Sequence, residues 1–144
     1  MRVLPFILTV LVLAACSRKN CYDHNQDLIS IKEANQKMLD TGVGMLSTEK
    51  RFNLQTDSIL NLIIFEFEQV DRQYWHVNLK REMNVWESQK QVDLDSLWFQ
   101  IQNEVNEFGF ASEIAQLQWY GTSSDYNYEK AIELNPIKLE MCNQ

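Results

Sequence analysis

From Asn25 onward, apolar residues recur at steps of three and four, the spacing that gathers them on one face of an α-helix. The first such stretch begins at Asp23 or Asn25 and places Leu28, Ile31, Met38 and Leu39 near one face; polar residues cap its start and Gly42 and Gly44 stop it. A second opens at Ser47 or Thr48, after which Leu60, Ile63, Phe67, Val70, Tyr74 and Val77 keep the helical step for about five turns. Leu62 to Phe67 taken alone has the Ile and Phe content of a strand, but the sustained period and the absence of Gly or Pro decide for helix. Near Val77 the apolar face moves to Leu79, Met83 and Trp86, so either one helix rotates its contact face or a kink around His76 to Asn78 separates two. Asp93 and Asp95 precede a further run, Leu94, Leu97, Trp98, Ile101, Val105 and Phe108, closed by Gly109. Ser112 and Glu113 start a shorter helix through Ile114, Leu117 and Tyr120, which Gly121 and a loop from Thr122 to Asp125 end. A last helix runs from about Tyr126 to Asn135, where Pro136 stops it. Four glycines and two prolines among 144 residues, with runs this periodic, predict an all-α fold: a single bundle of about five or six helices.

A different pattern precedes these helices. Behind Arg2, Val3 to Leu13 is an apolar core too short to span a bilayer as a helix, followed by small residues and a cysteine in the order of a secretory signal. The alternative is an ordinary signal peptide or a buried N-terminal helix with a chance cysteine. Leu13-Ala14-Ala15-Cys16 resembles the lipobox of bacterial lipoproteins. The resemblance implies that the Cys16 thiol receives a diacylglyceryl group, that cleavage occurs before it, and that the new amino group is acylated. The partner at this end is then a lipid bilayer. Several acyl chains, at about 0.8 kcal/mol per buried CH2, hold a domain where one chain would not. The implied organisation is a cleaved signal peptide at 1–15, a lipidated tether at 16–22 and an all-helical domain at 23–144. Lipid anchoring would place it on the extracytoplasmic side of a bacterial membrane. Ser17, by resemblance to the enteric sorting rule, favours an outer membrane, facing the periplasm, where the cell has one.

The net charge is −7, one unit more negative once Arg2 is cleaved off. That argues against nucleic acid and against docking on anionic lipid through a basic face, and leaves a basic protein as a partner. With Cys16 committed to lipid, Cys21 and Cys142 remain, an even pair in a compartment that permits disulfides. They are expected to pair with each other; two free thiols are the alternative, which only geometry decides. No metal or cofactor is expected. His24 and His76 are the only histidines, and Cys21 with His24 is a bare Cys-x-x-His fragment. No Gly-rich phosphate loop and no histidine beside a nucleophile stands out, so no catalytic residue is assigned and no enzyme is expected. Carboxylates such as Glu66, Glu68, Asp71 and Glu82 read as solvated helix faces, and Trp75, Trp86, Trp98 and Trp119 as core.

Two further resemblances are local. Tyr128 to Pro136, with its Ala-Ile-Glu-Leu-Asn-Pro ending, looks like the second helix of a tetratricopeptide repeat, yet no period of about thirty-four residues appears upstream. Asp57-Ser-Ile-Leu-Asn61, followed by Leu79-Lys-Arg-Glu-Met-Asn-Val-Trp86, is similar to the LprI-type lysozyme-inhibitor family. Asp57, Leu60, Asn61, Leu79, Lys80 and Trp86 fall at matching positions, while the family's usual Gln before the Trp, the Tyr-Arg-Asp after it and its extra cysteines are missing. The resemblance implies a helical, membrane-anchored module that binds lysozyme and blocks it sterically. From a different class comes an envelope accessory that binds a membrane component or a hydrophobic ligand between its helices.

Overall fold

A computed structural model describes residues 21–143. Four long helical segments account for nearly all of them, with no strand among the described residues. Helix α1 spans Asn25–Leu39 and α2 spans Met45–Val70. A single turn at Arg72–Tyr74 and a π-helical turn at Trp75–Leu79 run directly into α3, Lys80–Phe108. Helix α4 spans Glu113–Cys142. The class is therefore all-α as expected, and the expected five or six helices are corrected to four.

The punctuation marks explain which boundaries form. Gly42 and Gly44 between α1 and α2 and Gly109 after α3 take positive φ, which side-chain-bearing residues adopt only with strain. Ser112 caps α4, its Oγ accepting from Ala115 N–H at 3.2 Å. The α2 break falls at Asp71, in extended backbone, whose Oδ1 accepts from Tyr74 N–H at 2.8 Å. The change of apolar phase near Val77 is the π-turn. Its wider i to i+5 turn adds one residue without ending the helix, so Trp75, Leu79 and Met83 all reach the core while Val77 faces out.

Three expected boundaries do not exist. Asp93 and Asp95 lie inside α3, accepting from Gln89 and Gln91 one turn earlier at 3.2 and 2.7 Å. Gly121 and Thr122 to Asp125 are helical; Ser123 and Ser124 are buried, and Ser124 Oγ donates to Tyr120 O at 2.7 Å. Pro136 lies within α4 on its exposed side. Its missing N–H costs one helical bond, and buried Lys138 with the disulfide at Cys142 holds the helix beyond it.

The helices alternate in direction. Contacts of Asn35 with Glu49 and His24 with Glu66 set α1 antiparallel to α2, and those of Lys90 with Asn127 and Glu82 with Lys130 set α3 antiparallel to α4. Glu66 with Lys138 and Phe52 with Tyr128 set α2 parallel to α4, the most extensive pairing. The core gathers Leu28, Leu60, Ile63, Phe67, Trp75, Leu79, Met83, Ala131 and Leu134. It sits near the end of the bundle that holds Cys21 and Cys142. By contrast, α3 buries only Met83, Leu94 and Ile101, so beyond its first turns it leans on α4 alone.

Candidate functional site

Two regions carry chemistry, at opposite ends of the bundle. At the basal end Cys21 and Cys142 form a disulfide, with Cα atoms 6.2 Å apart across 121 residues of sequence. This settles the alternative of two free thiols. Beside it lies a polar network around two fully buried α4 side chains, Asn135 and Lys138. Lys138 Nζ donates to Tyr22 O at 2.7 Å and to Glu66 Oε2. The other Glu66 oxygen lies 3.3 Å from Nε2 of buried His24. Asn135 Nδ2 donates to Asp23 Oδ1 at 2.7 Å, and His24 N–H donates to Asn135 Oδ1 at 3.4 Å. Glu66, expected on a solvated face, is thus the counter-charge of a buried lysine. The Asn25 N–H, and then the Asn135 amide, hold the Asp23 carboxyl below its ordinary value. A lowered carboxyl stabilises the fold above its ordinary range, and that contribution is lost as pH falls below about 4.

The buried polar groups of this network find partners within the protein, and together they clamp the two ends of the domain. The clamp fixes Cys21 and Tyr22, the last residues of the expected tether, to α2 and α4. The expected lipidation residue Cys16, with the rest of the lipobox and signal segment, lies outside the described residues.

Farther along α4, buried Lys130 donates to Glu133 Oε2 at 2.7 Å and Glu82 Oε1 at 3.3 Å. Lys90 donates to Asn127 at 2.7 Å and lies over the Trp86 ring. Its burial lowers its ammonium's pKa, against the pull of Glu87 and Asp57. Tyr126 donates to Asp93, and that bond raises the phenol.

The family-motif positions divide by role. Leu60 and Leu79 are core, Asp57 and Asn61 pair with each other at 3.1 Å on the surface, Lys80 is exposed, and Trp86 packs edge-on against Tyr126. The structure does not gather them into one site.

The second region is the far end of the α3–α4 hairpin. On the register set by Glu66 with Lys138 and Phe52 with Tyr128, Met45 falls level with Leu117 to Gly121. The end of α3 and the start of α4 therefore extend past the α1–α2 connection. Lys50 of α2 reaches only as far as the Tyr120 ring, and Trp98, Phe99, Phe108, Phe110 and Ile114 stay exposed, the last two at 69%. Trp98, expected in the core, is half exposed because this part of α3 packs against α4 and has no second helix on its other side. A recess of about 350 Å³ opens among them, lined by Trp98, Ile101, Ala111, Gln116, Trp119 and Tyr120. Glu104 accepts from Ser112 N–H at 2.7 Å, which depresses its carboxyl and ties the hairpin turn to α3.

Periodicity does not mark this tip, because Trp98 and Phe108 follow the helical spacing of core while Phe99 and Phe110 fall outside any stripe. The signal that marks it is charge. From Gln91 to Glu129 the sequence holds seven carboxylates and no Lys, Arg or His.

Among the described residues, no group of three or more His, Cys, Asp or Glu side chains is placed to hold a metal, and no helix is long and apolar enough to cross a membrane. Comparison of the chain with protein-family models, with curated proteins and with solved structures returned no match.

Proposed function

We propose that this chain is a membrane-anchored, extracytoplasmic lipoprotein that works as a protein-binding module, with lysozyme inhibition as its specific form. The observation that carries the reading is the basal clamp. The disulfide and the Lys138 to Tyr22 bond pin both ends of the domain together five residues after Cys16. A lipid anchor at Cys16 would present the bundle end-on, with the acidic aromatic tip farthest from the bilayer. Helix α4, 30 residues at 1.5 Å each, sets that reach at roughly 45 Å.

The mechanism is steric occlusion. Negative charge steers a basic protein toward the module and raises its association rate, and a few aromatic anchors supply the affinity. The similarity to the LprI-type inhibitors supports lysozyme as that basic protein.

The exposed Trp and Phe side chains at the tip and the recess between them favour a second reading. In it the module is an accessory of the cell envelope that binds another envelope component or a hydrophobic ligand.

Titrating a chicken-type lysozyme with the purified, oxidised protein and following cell-wall hydrolysis tests the first reading. Saturable inhibition that weakens with salt supports it. Full hydrolysis with the protein at tens of micromolar, about the weak end of useful affinity, rejects lysozyme as the partner.

A further inference from the structure

Among the described residues, the tip of the α3–α4 hairpin brings together exposed apolar side chains, a recess and the exposed carboxylates Glu107 and Glu113. Phe108, Phe110 and Ile114 are exposed at the tip, and Trp98, Ile101, Ala111, Gln116, Trp119 and Tyr120 line the recess. Large side chains exposed in this way cost free energy in water and mark contact surfaces. No residue of α1 or α2 lines the recess, so a cover for it would come from outside the described bundle.

Charge decides among the candidates for that cover. An anionic lipid surface meets only carboxylates on this hairpin, because the stretch from Gln91 to Glu129 holds no cationic side chain. A second copy docked tip to tip would set Glu107 and Glu113 against their like. Lys50 on α2 is engaged over the ring of Tyr120, at 5.2 Å from its centroid. A cationic partner with apolar residues on one face satisfies both halves of the surface: its apolar side fills the recess and its lysines or arginines meet the carboxylate rim.

We infer that the α3–α4 tip is the docking surface for a cationic, amphipathic protein segment, with an apolar anchor of that segment seated among Trp98, Ile101, Trp119 and Tyr120. The inference rests on the protein-binding reading above and names the surface and the chemistry of its partner.

The test uses the purified protein with its disulfide intact and a fluorescent helical peptide of Leu and Lys, beside a Leu and Glu counterpart and phosphatidylglycerol vesicles. The expected result is saturable, salt-sensitive binding of the Leu/Lys peptide alone. Phe110→Ser with Ile114→Ser weakens it at least tenfold, and Glu107→Lys with Glu113→Gln does the same. Val85→Ser with Val92→Ser, on exposed positions of α3 away from the tip, leaves it unchanged. All these positions are exposed, and unchanged far-ultraviolet dichroism and melting confirm that each variant is folded. Equal binding by tip and parent proteins overturns the inference, as does binding to vesicles, or self-association in sedimentation, in place of the Leu/Lys peptide. Lysozyme separates the two levels. If inhibition survives in the tip variants, the surface is wrong and the protein-binding reading stands; if the parent binds neither lysozyme nor peptide, both fall.

Discussion

At the scale of single residues, the buried face of α4 is built from unusual material. Ser123, Ser124, Asn127, Lys130, Asn135 and Lys138 point inward beside Ala131 and Leu134. Small hydroxyl residues let α2 and α4 approach and return their hydrogen bonds to their own backbone, as Ser124 does to Tyr120 and Thr56 does to Phe52 at 3.0 Å. The lysines are tolerated because carboxylates meet them. Glu66→Ala should therefore destabilise the protein by about 3 kcal/mol in urea unfolding, since it strands a buried ammonium, and adding Lys138→Met should recover most of the loss. Gly121 sits in mid-helix, and a Cβ there would meet nothing within 4 Å. Gly121→Ala should raise stability by about 0.5–1 kcal/mol, visible as a higher melting temperature.

At the scale of elements, the disulfide and the π-turn determine how the helices are joined. Closing a loop of 121 residues removes entropy from the unfolded chain, so reduction should lower the unfolding free energy by about 4–5 kcal/mol. Comparing oxidised and reduced protein in a denaturant series measures it. The π-turn holds one residue more than an α-helix needs. Deleting exposed Asn78 should convert the turn to α-helix and cost about 1 kcal/mol or less, because both flanking faces keep their phase. The same deletion at Gln91, inside regular helix, turns every later side chain by about 100° and should cost several times more. Melting curves of the two deletion proteins make the comparison.

At the scale of the whole molecule, the clamp at Cys21 and the tip lie at opposite ends of the described bundle. Cys16→Ala should move the protein from the membrane fraction to the soluble fraction of fractionated cells; retention in the membrane would reject lipidation at Cys16. The tip should be unaffected, because the clamp begins only at Cys21.

Helix content, the helical class and most of the core were legible in the sequence, because local spacing alone places Leu28, Leu60, Ile63 and Phe67 on inward faces. The glycine stops at Gly42, Gly44 and Gly109 and the Ser112 cap were legible for a similar reason: each acts through its own backbone. Helix number was not. Gly121, Thr122 to Asp125 and Pro136 carry local preferences against helix, and the packing of α4 along α2, fixed by residues distant in sequence, overrides them. Cysteine parity suggested the Cys21–Cys142 pair, and the meeting of the α1 and α4 ends decided it. The same holds for Glu66 and the tip aromatics. The sequence pattern put Glu66 on a solvated face and Trp98 in the core; only the packing of α4 on α2 decided that Lys138 meets the first, and the lack of a second helix against α3 that the other stays half exposed.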